Sequence, residues 1–216
     1  MARSEPMTTQ TADAPAPRAP TVAGFTLRVL AWLPIAFAVW YFAAPVLLFP
    51  VVLLLRGVAW LGFADLVRGI EQSAAIATFV TALRPGDIAP RGVLTVDVNL
   101  LLYAFCMPLF AALTFAAHEA DWKRHLALGY VVLLPCAAWG GLADFLKNVA
   151  ITAGPAVAAQ TGFSAWQREA IAFAFQFGSL ILPAVAPAVL WVALHGRFLA
   201  ALRRRPVSPA AATRSR

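Results

Sequence analysis

Long apolar runs separated by short polar clusters set the pattern of this chain. About 20 consecutive apolar residues carry a helix across the ~30 Å hydrocarbon core of a bilayer. Runs of that order lie at about 25–49, 100–117, 126–146 and 170–194. The pattern predicts an all-α membrane protein of about four transmembrane helices. The first run contains AWLPIAFAVWYFAAPVLLF, with Trp32, Trp40 and Tyr41 as interface or packing positions. Pro34 and Pro45 would kink a soluble helix, but spanning helices tolerate such breaks where neighbouring groups take up the freed carbonyls.

The pattern changes between about 51 and 99. Val51–Arg68 (VVLLLRGVAWLGFADLVR) is apolar yet carries Arg56, Asp65 and Arg68. A crossing there would hold Arg56 near mid-bilayer at a cost of ~2.5–3.5 kcal/mol on insertion scales, so the segment reads as an amphipathic helix at the outer surface. Two strand-like runs follow, Ala75–Leu83 and Gly92–Val98, around the turn residues Arg84, Pro85, Gly86, Asp87 and Pro90. Alternating Thr and Val predict a β-hairpin, which is marginal alone and needs the amphipathic helix or a partner to rest on. The insertion at 51–99 is thus a small extracytoplasmic amphipathic helix and hairpin. Val149–Gln167 reads as a loop of small residues on the same side.

Composition supports lipid as the solvent: 61% of residues are hydrophobic and 12% charged, against about 45–50% and 25% for a soluble domain. The Ala-, Pro- and Thr-rich residues 1–24 read as a disordered cytoplasmic tail, with no apolar core of a secretory signal within them. Residues 203–216 read as a basic cytoplasmic tail flanking the membrane domain at 25–202.

The basic residues test the orientation. Assigned inside are Arg3, Arg18, Arg28, Lys123, Arg124, Arg197, Arg203, Arg204, Arg205, Arg214 and Arg216. Outside are Arg56, Arg68, Arg84, Arg91, Lys147 and Arg168, balanced by Asp65, Glu71, Asp87, Asp97, Asp144 and Glu169. The net charge of +7 therefore falls entirely inside, as the positive-inside rule requires. This places both termini in the cytoplasm. A basic cluster directly after a span meets anionic headgroups, so membrane lipids are the expected partner and nucleic acid is not.

Chemistry-bearing groups are sparse. Cys106 and Cys136 lie inside apolar runs without metal-ligand spacing, and the histidines sit at helix ends, at different depths from both thiols. No catalytic residue, cofactor or metal is expected. Polar groups instead converge at the outer helix ends: Asp97, Asn99 and Tyr103 after the second strand, Asp144 and Lys147 three residues apart on one helix face, and Gln176. Their simplest roles are a helix cap, an ion pair and an interhelical hydrogen bond. A membrane enzyme acting on a lipid or peptide through Asp97, Asp144 or Glu169 stays open as an alternative. So does a small transporter, although uncharged helix centres weigh against it.

Several local runs carry a resemblance: Trp32-Leu33-Pro34, Val39-Trp40-Tyr41-Phe42, Val96-Asp97-Val98-Asn99, Leu101-Leu102-Tyr103, Met107-Pro108-Leu109 and Ala111-Ala112-Leu113. With Asn99, Tyr103 and Pro108 as its most specific part, the pattern resembles the exosortase H-associated membrane proteins across about 25–203. Exosortases are membrane transpeptidase-like enzymes that process proteins bearing a C-terminal sorting segment. The resemblance implies a non-enzymatic accessory protein in the bacterial inner membrane, beside such an enzyme or its substrates, with the outer hairpin and polar helix ends as contact surfaces.

Overall fold

A computed structural model describes residues 21–85 and 92–203. The expected turn residues Gly86, Asp87 and Pro90, and nearly all of both expected tails, lie outside the described residues. The fold is mostly helical, with one small sheet packed at one end of the helices.

Helix α1 (Val22–Leu47) starts where Gly24 N–H donates to Thr21 Oγ1 at 3.2 Å. Its buried residues are Ala36, Trp40 and Ala44, one every fourth position. The stripe continues through a break at Leu48 into α2 (Phe49–Gly62) as Leu48, Val52, Leu55 and Ala59. Val51 is buried beside this stripe, and most of the remaining surface of the two helices is apolar and exposed, with Arg56 a charged exception. Pro45 and Pro50 flank the break, where proline removes a backbone donor and crowds the preceding turn. Side chains take up the carbonyls there: Tyr130 O–H donates to Leu47 O at 2.7 Å and Gln72 Nε2–H to Pro45 O at 2.9 Å.

The segment expected as an amphipathic helix to Arg68 is helical only to Gly62. Residues Val67–Ser73 form strand β1 instead, and Arg56 Nε–H donates to Ile70 O on that strand at 2.9 Å. The expected hairpin is present as β2 (Ile76–Thr81) and β3 (Thr95–Asn99), paired antiparallel from Ile76↔Asn99 to Val80↔Thr95. β1 adds on the other side of β2 through a tight turn at Ala74, so the sheet has three strands in the order β1-β2-β3. Ala77 and Phe79 of β2 and Val98 of β3 point inward, and Phe79 stacks on Phe145 with ring centroids 4.2 Å apart.

The segment expected as the second span is a short α3 (Leu101–Ala104) and α4 (Cys106–Ala117), offset at Phe105. Together they are shorter than the three helices long and apolar enough to cross a membrane, Val22–Leu47, Trp122–Thr152 and Ala165–Leu194. His118 closes α4 in the left-handed region (φ 53°), which turns the chain into α5 (Trp122–Lys147). α5 runs back to the sheet and ends in a π-helical turn, Asn148–Thr152. The expected outer loop holds a short α6 (Pro155–Gln160), whose Gln160 exchanges hydrogen bonds with the Arg84 backbone at 3.0 and 3.1 Å. A Ser164–Gln167 capping box opens α7 (Ala165–Gln176). A second π turn (Phe177–Ile181) leads into α8 (Leu182–Leu194), and α9 (Gly196–Arg203) follows.

Helix α5 is central because its glycines let other elements reach its backbone. A Cβ at Gly140 would lie 2.5 Å from the Tyr103 ring, and one at Gly141 2.9 Å from Leu100. One at Gly178, on the facing helix, would lie 3.1 Å from Gly140 Cα. Gly129 accommodates the Phe110 ring in the same way. Small residues that allow such approach are the main source of helix adhesion in lipid.

Glycine replacements should therefore differ in sign. Gly129→Ala drives a methyl into the buried Phe110 ring and should cost ~1–3 kcal/mol. Gly57→Ala on α2 meets nothing within 4 Å and should gain ~0.5–1 kcal/mol of helix preference. Thermal unfolding in detergent should lower the midpoint for the first and raise it for the second.

Candidate functional site

Most polar residues expected at the outer helix ends are engaged in local structure at the sheet end of the molecule. Asp97 Oδ1 accepts from Thr78 Oγ1 at 2.6 Å across the β2–β3 pair. Asn99 Oδ1 accepts from Leu101 N–H at 3.1 Å, a local bond two residues on where the chain leaves the sheet; the N-cap of α3 is Leu100, so the expected helix cap is not formed. Asp144 Oδ1 takes Lys147 Nζ at 3.0 Å and Asn148 Nδ2 at 3.1 Å. Tyr103, buried against Gly140, faces the same carboxylate, and Lys147 Nζ also sits 4.1 Å above the Phe175 ring. Tyr103, Asp144 and Lys147 thus form one group, and Asp97 and Asn99 two separate contacts. Gln176 is exposed, apart from that group.

Pro108 serves another feature. It lines a half-open groove of about 830 Å³ between α1, α4 and the first half of α5, with Trp32, Trp40, Phe110, Phe115 and Tyr130. Its walls are almost wholly apolar. The groove arises because α1 holds the bundle by a one-residue-per-turn stripe, while aromatic rings fill its flanks.

A third constellation sits at the opposite end of the helices, where α1 begins, α4 turns into α5 and α8 meets α9. Phe25 of α1 stacks on Trp191 of α8 at 5.2 Å and meets Phe198 of α9 at 5.1 Å. Beneath them, Glu119, His125 and His195 bring one oxygen and two nitrogens within 4.8 Å of one another. Glu119 Oε2 lies 3.5 Å from His125 Nδ1 and 3.7 Å from His195 Nε2. All three atoms are buried without a hydrogen-bond partner among the described residues. Each unpaired buried polar group costs about 1–3 kcal/mol.

His195 is 0% exposed, and its ring stacks on Trp191 at 5.1 Å. Burial holds this imidazole below the ordinary histidine value, against the opposing pull of the Trp191 carbonyl and Glu119. Nδ1 faces Trp191 O at 3.0 Å. A carbonyl only accepts, so the neutral ring carries its proton on Nδ1 and directs the Nε2 lone pair toward Glu119.

This grouping was missed from sequence, where the histidines read only as helix-end residues. Local spacing carries no signal for it, since His195 lies far along the chain. The usable signal was topological: alternating helix directions put the 118–125 turn and the end of the last long helix at one end.

A family model described as exosortase H-associated membrane protein matches residues 19–198. No curated protein and no solved structure matches the chain.

The Asp144 group allows a stability test. Asp144→Ala strips the main partner from Lys147 and one acceptor from Asn148, and should cost about 1–3 kcal/mol. Lys147→Met gives up the ammonium over the Phe175 ring but leaves Asp144 bonded to Asn148, so it should cost less, ~1 kcal/mol. Unfolding midpoints in detergent should rank wild type, Lys147→Met, then Asp144→Ala.

Proposed function

The chain belongs to the exosortase H-associated membrane proteins, and on that premise we propose that it is an accessory subunit, not a catalyst, of an exosortase-type protein-sorting system in the bacterial inner membrane. Family membership over most of its length carries this reading. The geometry supports it: the polar residues of the sheet end are mainly committed to a local backbone bond, a cross-strand bond and an ion pair, while an aromatic-lined groove stands open on the helix surface. Such a groove suits a transmembrane helix, whose apolar side chains would displace lipid from an irregular concave surface. The exposed β3 residues Thr95, Asp97 and Asn99 suit a contact with the same partner outside the membrane.

In this reading Leu101–Ala117 crosses as a short fourth span, assisted by the buried sheet residues above it. Both tails and the 118–125 turn then lie in the cytoplasm, and the sheet lies outside. The charge distribution favours this arrangement. Cysteine labelling tests it in a background lacking Cys106 and Cys136. Gly92→Cys should react with a membrane-impermeant maleimide in intact cells, and Ala120→Cys only after permeabilisation. Labelling of both positions in intact cells would refute the four-span topology.

The association is tested by co-expressing the C-terminally tagged chain with an exosortase and recovering it from detergent-solubilised membranes. The enzyme should co-purify. Ala111→Trp and Ala127→Trp, which fill the groove, should reduce its recovery without lowering the amount of the tagged chain. Recovery of the wild-type chain alone would remove the accessory reading.

A further inference from the structure

We propose that Glu119, His125 and His195 form a zinc site that fastens the α4–α5 turn to the junction of α8 and α9. The ligand atoms are Glu119 Oε2, His125 Nδ1 and His195 Nε2, all buried and all without a hydrogen-bond partner among the described residues. At 3.5 and 3.7 Å, neither histidine nitrogen is within ordinary N–H···O distance of the carboxylate. A single cation between them would satisfy all three atoms at once.

The spacing is near that of zinc. Tetrahedral ligands at 2.0–2.1 Å from the ion stand about 3.3–3.4 Å from each other. The two distances to Glu119 exceed this by only a few tenths of an ångström, and all three atoms lie within 4.8 Å of one another, so the two histidine rings draw together when the ion binds. Two imidazole nitrogens and one carboxylate oxygen select zinc over magnesium or calcium, which prefer all-oxygen sites. His195 also has the outer-sphere contact expected of a metal-bound histidine. Its Nδ1 lies 3.0 Å from Trp191 O, which fixes the ring and the tautomer that leaves Nε2 free to bind.

The surrounding fold explains why these residues converge. His118 in the left-handed region reverses the chain between α4 and α5, which places Glu119 at the turn and His125 in the first turns of α5. His195 ends α8, with Leu199 N–H donating to its carbonyl at 3.0 Å as α9 begins. Glu119 also lines a half-open cavity of about 590 Å³ with His118, Ala120 and Trp122. Water from that cavity supplies the fourth ligand.

The test uses the full-length protein, purified in detergent through a tag without histidines, with zinc content measured by mass spectrometry. The chelator-stripped protein is then titrated with cobalt(II) and, in competition with a chromophoric chelator, with zinc(II). A single zinc per chain and a tetrahedral cobalt absorption band are expected. Glu119→Gln and His125→Gln should each weaken zinc binding at least ~10-fold and abolish the zinc-dependent rise in unfolding temperature. His118→Asn, which suits the left-handed turn and lies beside the site, should bind as wild type does. His195→Ala is read only if it folds; the two partly exposed ligands decide the question without it. Absence of zinc and of the cobalt band would overturn the proposal. Wild-type binding by Glu119→Gln and His125→Gln, or an equal loss in His118→Asn, would overturn this ligand assignment.

Discussion

The close approach of neighbouring elements to the glycines of α5 is the constraint on which the rest of the structure depends. In lipid, apolar surface gains little by meeting other apolar surface, so helices adhere where backbones and rings come close enough for dense packing. Gly129 receives Phe110, Gly140 receives Tyr103 from one side and Gly178 from another, and Gly141 receives Leu100. These positions fix where α3, α4 and the α7–α8 rod lie around α5. The sheet follows from the same helix, because Phe79 stacks on Phe145 near its end.

With the helices held at α5, the break at Leu48 becomes an organising feature. It lets the α1–α2 stripe run past α4 and then along α5 toward the sheet, while Tyr130 and Gln72 bond the carbonyls at the bend. Only one narrow face of α1 is committed to the bundle. The groove beside Pro108 is the consequence, a concave and almost wholly apolar surface on the helices.

The two ends of the bundle are built differently. At the sheet end, polar side chains are paired within the fold: Asp144 with Lys147 and Asn148, Asp97 with Thr78, and Asn99 with the Leu101 amide. At the other end, Glu119, His125 and His195 are brought together under aromatic rings, with one buried polar atom each that has no hydrogen-bond partner among the described residues. Buried polar groups are ordinarily hydrogen-bonded, so this second end is where a ligand has physical work to do.

By itself, the sequence determined the membrane class, the long apolar helices, the β2–β3 hairpin and the Asp144–Lys147 contact. Each follows from run length, alternation or spacing of three residues, and so from interactions within a few positions. The family was legible too, in runs such as Val96-Asp97-Val98-Asn99. Strand β1 was not, because Val67–Ser73 becomes a strand only by adding to β2 through the turn at Ala74. The shortness of α3–α4 depended on the offset at Phe105, which no apolar pattern records. The Glu119–His125–His195 cluster was decided by tertiary structure alone. Its members are ordinary helix-end residues until the alternating directions of α4, α5 and α8 close the ends of three helices on one point.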